Sequence, residues 1–175
     1  MKSYLFTSQR LGFRTWLQDD IDALAAINAD NVVMEFFPSV QTREQTAAFI
    51  LRMQAMYEQR GYCYYAVDTL HDAAFIGFTG LAWQEYEAHF TPCVDIGWRL
   101  AAGAWGKGYA TEAATRCLHH GRRELGLGPI LSVAPRANVP SIRVMQKAGL
   151  SYVQDFTHPL LKGNLRLERC VLYST

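Results

Sequence analysis

The stretch Trp105-Gly106-Lys107-Gly108-Tyr109-Ala110-Thr111-Glu112-Ala113 joins a strand pattern to a helix pattern with almost no chain between them. Upstream, Val94, Ile96, Trp98 and Leu100 alternate with Asp95, Gly97 and Arg99, the period of a strand with one strongly apolar face. Downstream, Ala110, Ala113, Ala114, Cys117, Leu118 and Leu125 recur at helical spacing, and Glu112 and Arg116 stand one turn apart on the wet side. The first N–H groups of a helix have no partner inside it, and a loop with little side-chain bulk lets an anion approach them. Gly106 and Gly108 give that access, Lys107 adds a cation, and several converging donors suit a pyrophosphate better than a single carboxylate. The alternative is a tight strand-to-helix turn without a ligand.

Two phosphate motifs are excluded. A dinucleotide fingerprint beginning at Gly106 needs glycine or alanine where Thr111 stands, and an acid about twenty residues later, where the chain reads Pro129-Ile130-Leu131-Ser132. A Walker A loop from Gly103 to Gly108 needs lysine where Tyr109 sits.

The stretch instead resembles the acetyl-CoA loop of the GNAT acetyltransferase superfamily, written Arg/Gln-x-x-Gly-x-Gly/Ala at a strand-to-helix junction. Gly108 and Ala110 match its last two fixed positions. Trp105 stands at the first, a departure that is similar to the branch containing ribosomal-protein N-terminal acetyltransferases. A second motif of that branch, Asn-x-x-Ser before a helix ending Lys-x-Gly-Phe/Leu, is matched by Asn138, Ser141, Lys147, Gly149 and Leu150. The resemblance is strong from Asp95 to Leu150 and weaker before it.

The resemblance implies one α/β (α+β) domain over residues 1–175. Its fold is a GNAT-like mixed, mostly antiparallel twisted sheet, opened between the central strand and the Ile130 strand, with helices on both faces. It further implies an acetyl-CoA-dependent N-acetyltransferase with no metal. The cofactor would lie on Trp105, Gly106, Lys107, Gly108, Tyr109, Ala110 and Thr111, with Asn138, Ser141 and Lys147 nearby. The pantetheine would bond the backbone of Arg99, Leu100 and Ala101 as an added strand does. Gly97 is expected at a bulge, and an N–H near Leu100 is expected to polarise the thioester carbonyl. Ser141 is the candidate proton donor to the departing thiolate, and otherwise a helix-start hydroxyl. Asp95, Glu85 and Glu87 are candidate bases for an amine that attacks directly. The acceptor is a protein N-terminal α-amine or a small amine or polyamine; a CoA-binding sensor without turnover is the alternative from another class.

Composition leaves room for this reading. The 175 residues are half hydrophobic, long enough to bury one sizeable core. Seventeen basic against sixteen acidic side chains give a net charge of +1, so no general attraction to nucleic acid or membrane is expected. The chain is expected to act as a monomer or homodimer. Cys63, Cys93, Cys117 and Cys170 show no CxxC pair and no histidine at zinc-ligand spacing, and read as core thiols. Met1-Lys2-Ser3-Tyr4-Leu5-Phe6 lacks an apolar run with a cleavage site, so a cytoplasmic location is expected.

Along the rest of the chain, Leu11 to Trp16 reads as a strand and Gln18-Asp19-Asp20 as caps for a helix carrying Ile21, Leu24, Ala25 and Ile27. Asn28 to Ser39 is a connector whose Met34, Phe36 and Phe37 are expected to pack beneath it, the alternative being a substrate wall. Thr42 and Gln45 form a capping box for a helix ending near Gly61. Tyr62 to Asp68 and Ala74 to Trp83 read as a strand pair, and Glu85 to Phe90 as a hairpin tip. After Gly126, Gly128 and Pro129 stop the central helix, Ile130 to Ala134 is a short buried strand. A helix capped by Asn138 follows, with Ile142, Val144 and Met145 inward, and then strands Tyr152 to Phe156 and Leu165 to Tyr173. The acceptor face is assigned to Asn28 to Ser39, Glu85 to Phe90 and Thr157 to Asn164.

Overall fold

The computed structural model describes residues 3–175; Met1 and Lys2, the start of the N-terminal stretch read above, lie outside them. The elements run β1 (Phe6–Thr7), β2 (Leu11–Arg14), α1 (Asp20–Ala29), α2 (Arg43–Arg60), β3 (Tyr64–Thr69), β4 (Phe75–Gln84) and β5 (Cys93–Leu100). They continue with α3 (Tyr109–His119), β6 (Ile130–Pro135), α4 (Val139–Lys147), β7 (Ser151–Thr157) and β8 (Arg169–Ser174). The strands form one sheet in the order β1-β2-β3-β4-β5-β6-β8-β7. Every neighbouring pair is antiparallel except β5 and β6, which run parallel and pair only at Val94–Ile130 and Asp95–Leu131. Beyond Asp95 the two strands part, Ser132 Oγ still reaching Ile96 O at 3.1 Å. The sheet therefore opens where the family resemblance implied.

Alternation on the strands feeds two cores. Tyr64 and Phe78 stack with Phe49 of α2 on one face, while on the other Leu81 meets Gly121 beyond the end of α3, and Tyr65 packs edge-on to His120. Leu11, Phe13, Leu24, Tyr65, Ile96 and Met145 are almost wholly buried, each apolar side chain contributing roughly 1.5–3 kcal/mol. On β5, Ile96 and Leu100 are buried as the alternation requires. The polar partners Asp95, Gly97 and Arg99 do not face water: Arg99 is buried and the Tyr64 ring fills the space a Gly97 side chain would take. The expected bulge at Gly97 is absent, since β4 and β5 pair without a shift from Gly77–Leu100 to Gln84–Cys93. The parting of β5 from β6 comes from the short parallel register instead.

Local signals explain most boundaries. The Thr42–Gln45 capping box closes in both directions at 3.2 and 2.9 Å, and Gly61 ends α2 in the left-handed region. Asn138 Oδ1 caps α4 by accepting from Ser141 N at 3.2 Å, and Leu150 buries after Gly149. Several expectations fail for tertiary reasons. Asp20 is not a free cap but a buried counter-ion of Arg14, and Asp19 makes no cap bond. Glu112 and Arg116 are half-buried rather than on an open wet face, because Arg10 and Ser8 engage Glu112 while Arg116 bonds Thr7 O and Glu124. The central helix tightens its hold only to His119 and finishes as a π turn over residues 120–124. The last strand begins at Arg169 rather than Leu165, whose side chain is exposed in the turn before it.

Candidate active site

A cavity of about 330 Å³ occupies the opening. Trp98, Arg99 and Leu100 line it from β5, Trp105, Gly106 and Gly108 to Thr111 from the loop and the start of α3, and Asn138 and Ser141 from the start of α4. Most of the residues expected to hold the cofactor are thus brought together. Ala101, Lys107 and Lys147 are not on its wall; Lys107 and Lys147 are exposed, the latter in the last turn of α4.

Gly106 and Gly108 adopt φ of 74° and 78°, the left-handed region that costs an L-residue about 1–2 kcal/mol. This turns the loop so that N–H groups from Gly106 to Thr111 find no acceptor among the described residues; the first helical bond at this end is Glu112 N to Gly108 O. Arg10, from the turn between β1 and β2, braces the loop from outside. Its Nη1 donates to Lys107 O at 3.0 Å, its Nε to Glu112 Oε2 at 2.7 Å, and its guanidinium lies 4.6 Å from the Tyr109 ring centroid. Burial opposes the charge on Glu112, but bonds from Ser8 and Arg10 outweigh it and hold the carboxyl below its usual range. Nothing in the sequence marked Arg10, because its partners lie about a hundred residues away.

The end of β5 supplies one free backbone donor rather than three. Ala101 donates to Ile76 O at 2.9 Å, so by antiparallel alternation Arg99 also faces β4, and only Leu100 turns its N–H and C=O to the open edge. Leu100 O accepts the Trp105 indole N–H at 2.9 Å, which anchors the loop to the strand. The Leu100 N–H remains open.

A second cavity, of about 240 Å³, shares Phe36 and Phe37 with the first and has Asp95, Tyr86 and His158 on its wall. Phe36 and Phe37 therefore form walls of both cavities, whereas Met34 packs in the core as expected. Burial raises the Asp95 carboxyl to about 6, although Tyr64 Oη at 2.7 Å and Gln84 Nε2 at 3.2 Å donate to it and favour its charge. His158 was hidden within a loop assigned only as acceptor face. Its Nδ1 accepts from Leu160 N at 3.2 Å, which leaves the other ring nitrogen as the N–H donor, and burial lowers its pKa and keeps the ring neutral. Glu85 is not brought to either cavity: it is exposed on the hairpin and accepts from Trp83 Nε1 at 2.7 Å. Glu87 is exposed on the same hairpin.

Ser141 Oγ makes no hydrogen bond within the described protein, so the cap at this helix start is Asn138, and the hydroxyl is free on the cavity wall. The thiols are poor nucleophiles. Burial pushes Cys63 and Cys170 to about 12 and Cys117 higher still, and burial with the nearby Asp95 pushes Cys93 to about 11. No helix among the described residues is long and apolar enough to cross a membrane.

Comparison with known proteins agrees with this geometry. Residues 10–151 match the model of the acetyltransferase (GNAT) domain. The chain is 30% identical over 159 residues to the uncharacterized N-acetyltransferase YnaD of Bacillus subtilis, covering 90% of this chain and 89% of the relative. A GNAT-family acetyltransferase from Bacillus anthracis superposes with a TM-score of 0.81 at 25% identity, over 97% of this chain and 96% of its own. RimL, a ribosomal L7/L12 α-N-protein acetyltransferase solved with coenzyme A, shares the fold with a TM-score of 0.78 at 17% identity, over 99% and 97% of the two chains. The open sheet, the glycine loop and the match over most of the chain have one conclusion: this protein belongs to the GNAT acetyltransferase family.

Proposed function

We propose that the chain transfers an acetyl group from acetyl-CoA to the α-amine of a polypeptide N-terminus by direct attack. The observation that carries this reading is the row of unpaired N–H groups from Gly106 to Thr111 on the same cavity as the open Leu100 N–H. The first suits the pyrophosphate and the second the thioester oxygen as negative charge develops on it. The amine nitrogen bonds to the carbonyl carbon, the carbon–sulfur bond breaks, and the departing thiolate takes the Ser141 hydroxyl proton. The proton lost by the new ammonium goes to Asp95 or to water, and Ser141 recovers a proton from solvent, so that the net transfer is from amine to thiolate. Asp95 replaces Glu85 as the base in this reading, because it lines the cavity that adjoins the first.

An α-amine, with pKa about 8, is roughly a tenth neutral at pH 7, so a carboxylate near 6 is base enough. A lysine ammonium near ~10.4 needs a stronger one. RimL, which shares this fold, is named for α-amine acetylation, and this supports the same acceptor class here.

Coenzyme A release is measured with N-terminal peptides and with small amines, including polyamines. Peptides are expected to have the higher kcat/KM, with a pH profile that moves with the peptide's own amine pKa. Preference for polyamines overturns the acceptor assignment, and binding without release makes the chain a sensor. Gly108→Val forces a β-branched residue into a left-handed φ of 78° with its Cβ 3.5 Å from Arg10 Nη2, so the loop must shift, and the variant is expected to abolish acetyl-CoA binding by calorimetry while still folded; unchanged affinity removes the loop from the site.

A further inference from the structure

Arg99 is 91% buried on the wall of the first cavity, and its charge has no carboxylate partner among the described residues, as its relative exposure of 9% and its bonds show. Nη1 donates to Asn28 Oδ1 at 2.6 Å, and Nε is buried without an acceptor. Asn28 is itself fixed, donating to Thr46 Oγ1 at 2.9 Å and Gln41 Oε1 at 3.1 Å, so it orients the guanidinium without neutralising it. The plane is held by aromatic rings, with the guanidinium carbon 4.2 Å from the Phe37 centroid and 5.3 Å from that of Phe78. The acid on the same cavity wall, Glu35, is engaged elsewhere with Arg166 at 2.5 Å. Burial lowers the Arg99 pKa to about 10, which still leaves it charged at neutral pH.

A buried, oriented and unpaired cation is costly to a fold, because desolvation is offset only when an anion and its hydrogen bonds arrive. A planar guanidinium with free donors suits a carboxylate, which can accept two parallel bonds. We propose that Arg99 recognises a carboxylate carried by the acceptor, so that the preferred amines are amino-acid or acidic-peptide acceptors. This rests on the acetyl-transfer reading of the same site. The acceptor is favoured over the acyl chain as the source because Arg99 projects to the face of β5 that carries Asp95, toward Phe37, which joins the two cavities. The anionic phosphates of coenzyme A have their own donors on the loop from Gly106 to Thr111.

The test compares matched acceptors, Glu-Ala with Gln-Ala, Gly-Glu with Gly-Gln, and phenylalanine with its carboxamide, each rate corrected to the concentration of neutral amine. The wild-type chain is expected to favour the carboxylate member of at least one pair by about tenfold or more in kcat/KM. Arg99→Gln should erase that ratio, and Arg99→Lys, which keeps the charge and loses the fork, should retain part of it. No preference in any pair, or a preference that survives Arg99→Gln, overturns the proposal. A change confined to the succinyl-CoA over acetyl-CoA ratio assigns the carboxylate to the acyl chain, and a loss confined to coenzyme A affinity assigns the anion to the cofactor; either overturns the acceptor assignment. If no amine is turned over, the transfer reading fails on its own, and calorimetry of Glu-Ala against Gln-Ala with coenzyme A present still decides the role of Arg99. If Arg99→Gln does not fold, Arg99→Lys carries the same comparison.

Discussion

Arg14 on β2 and Arg99 on β5 are both buried, 2% and 9% exposed, in opposite company. Arg14 meets two carboxylates: its Nη1 and Nη2 bond Asp20 at 2.6 and 2.8 Å, and its Nε and Nη2 bond Asp68 at 2.7 and 3.0 Å. Arg99 has an amide oxygen and two aromatic rings. The difference follows the sheet. The half from β1 to β4 is continuously paired, and its buried charged groups close on each other, although the Tyr65 hydroxyl on β3 is buried without a partner. At the parting of β5 and β6, donors lack an acceptor in the protein: the Arg99 Nε, which is itself buried, the Leu100 N–H, the N–H groups from Gly106 to Thr111, and the Ser141 hydroxyl. Apart from the Tyr65 hydroxyl, this unfilled hydrogen-bonding capacity thus collects around the opening of the sheet.

The largest expected effect separates the two arginines directly. Arg14→Met leaves the Asp20 and Asp68 carboxylates buried without their cation and should cost about 3–5 kcal/mol of stability. Arg99→Met removes an unpaired charge and should leave stability unchanged or raise it. Urea denaturation of both variants checks this, and equal losses would erase the distinction between closed and open halves.

Next comes Ser141→Ala. The hydroxyl makes no hydrogen bond among the described residues, so stability should change by less than about 0.5 kcal/mol, whereas kcat should fall about a hundredfold with acetyl-CoA affinity unchanged. Single-turnover kinetics alongside a melting curve provide the check. A loss of stability with intact turnover would make Ser141 structural.

A smaller effect belongs to Asp95, whose carboxyl is raised by burial from 3.8 to about 6. A raised folded-state pKa means that the neutral form is favoured by folding. The stability it contributes is full below about 3.8 and is lost as pH rises through about 6. Asp95→Asn should flatten stability over that window. In wild type, log kcat/KM should fall more steeply below about 6 than above it, and the variant should lose that break; a profile identical to wild type would leave water as the base. The least effect is expected for Lys107→Ala. Its ammonium is exposed while the N–H groups are fixed, so coenzyme A affinity should drop only about two- to fivefold, measured by calorimetry at low salt.

Much of the open half was legible because its determinants are local. Glycines at Gly106 and Gly108, alternation from Val94 to Leu100, and the Asn138 cap act over a few residues, and periodicity and turn chemistry report such interactions. The Thr42–Gln45 box was legible for the same reason. The counter-ion role of Asp20, the Arg10 brace and the engagement of Glu112 were not, because each joins side chains from separate segments of the chain.

Local chemistry in the chain itself determined the strand, the glycine-containing loop and the helix that follows it, along with the second capped helix beside them. Tertiary structure alone decided which polar groups these elements meet. Folding placed Asp95, not Glu85, beside the cleft, and put His158 and Phe37 on its walls. It also buried Arg99 without a counter-ion while giving Arg14 two. The physical reason is that a charge's partner and solvation are set by what packs against it in space, and neither is encoded by its neighbours along the chain.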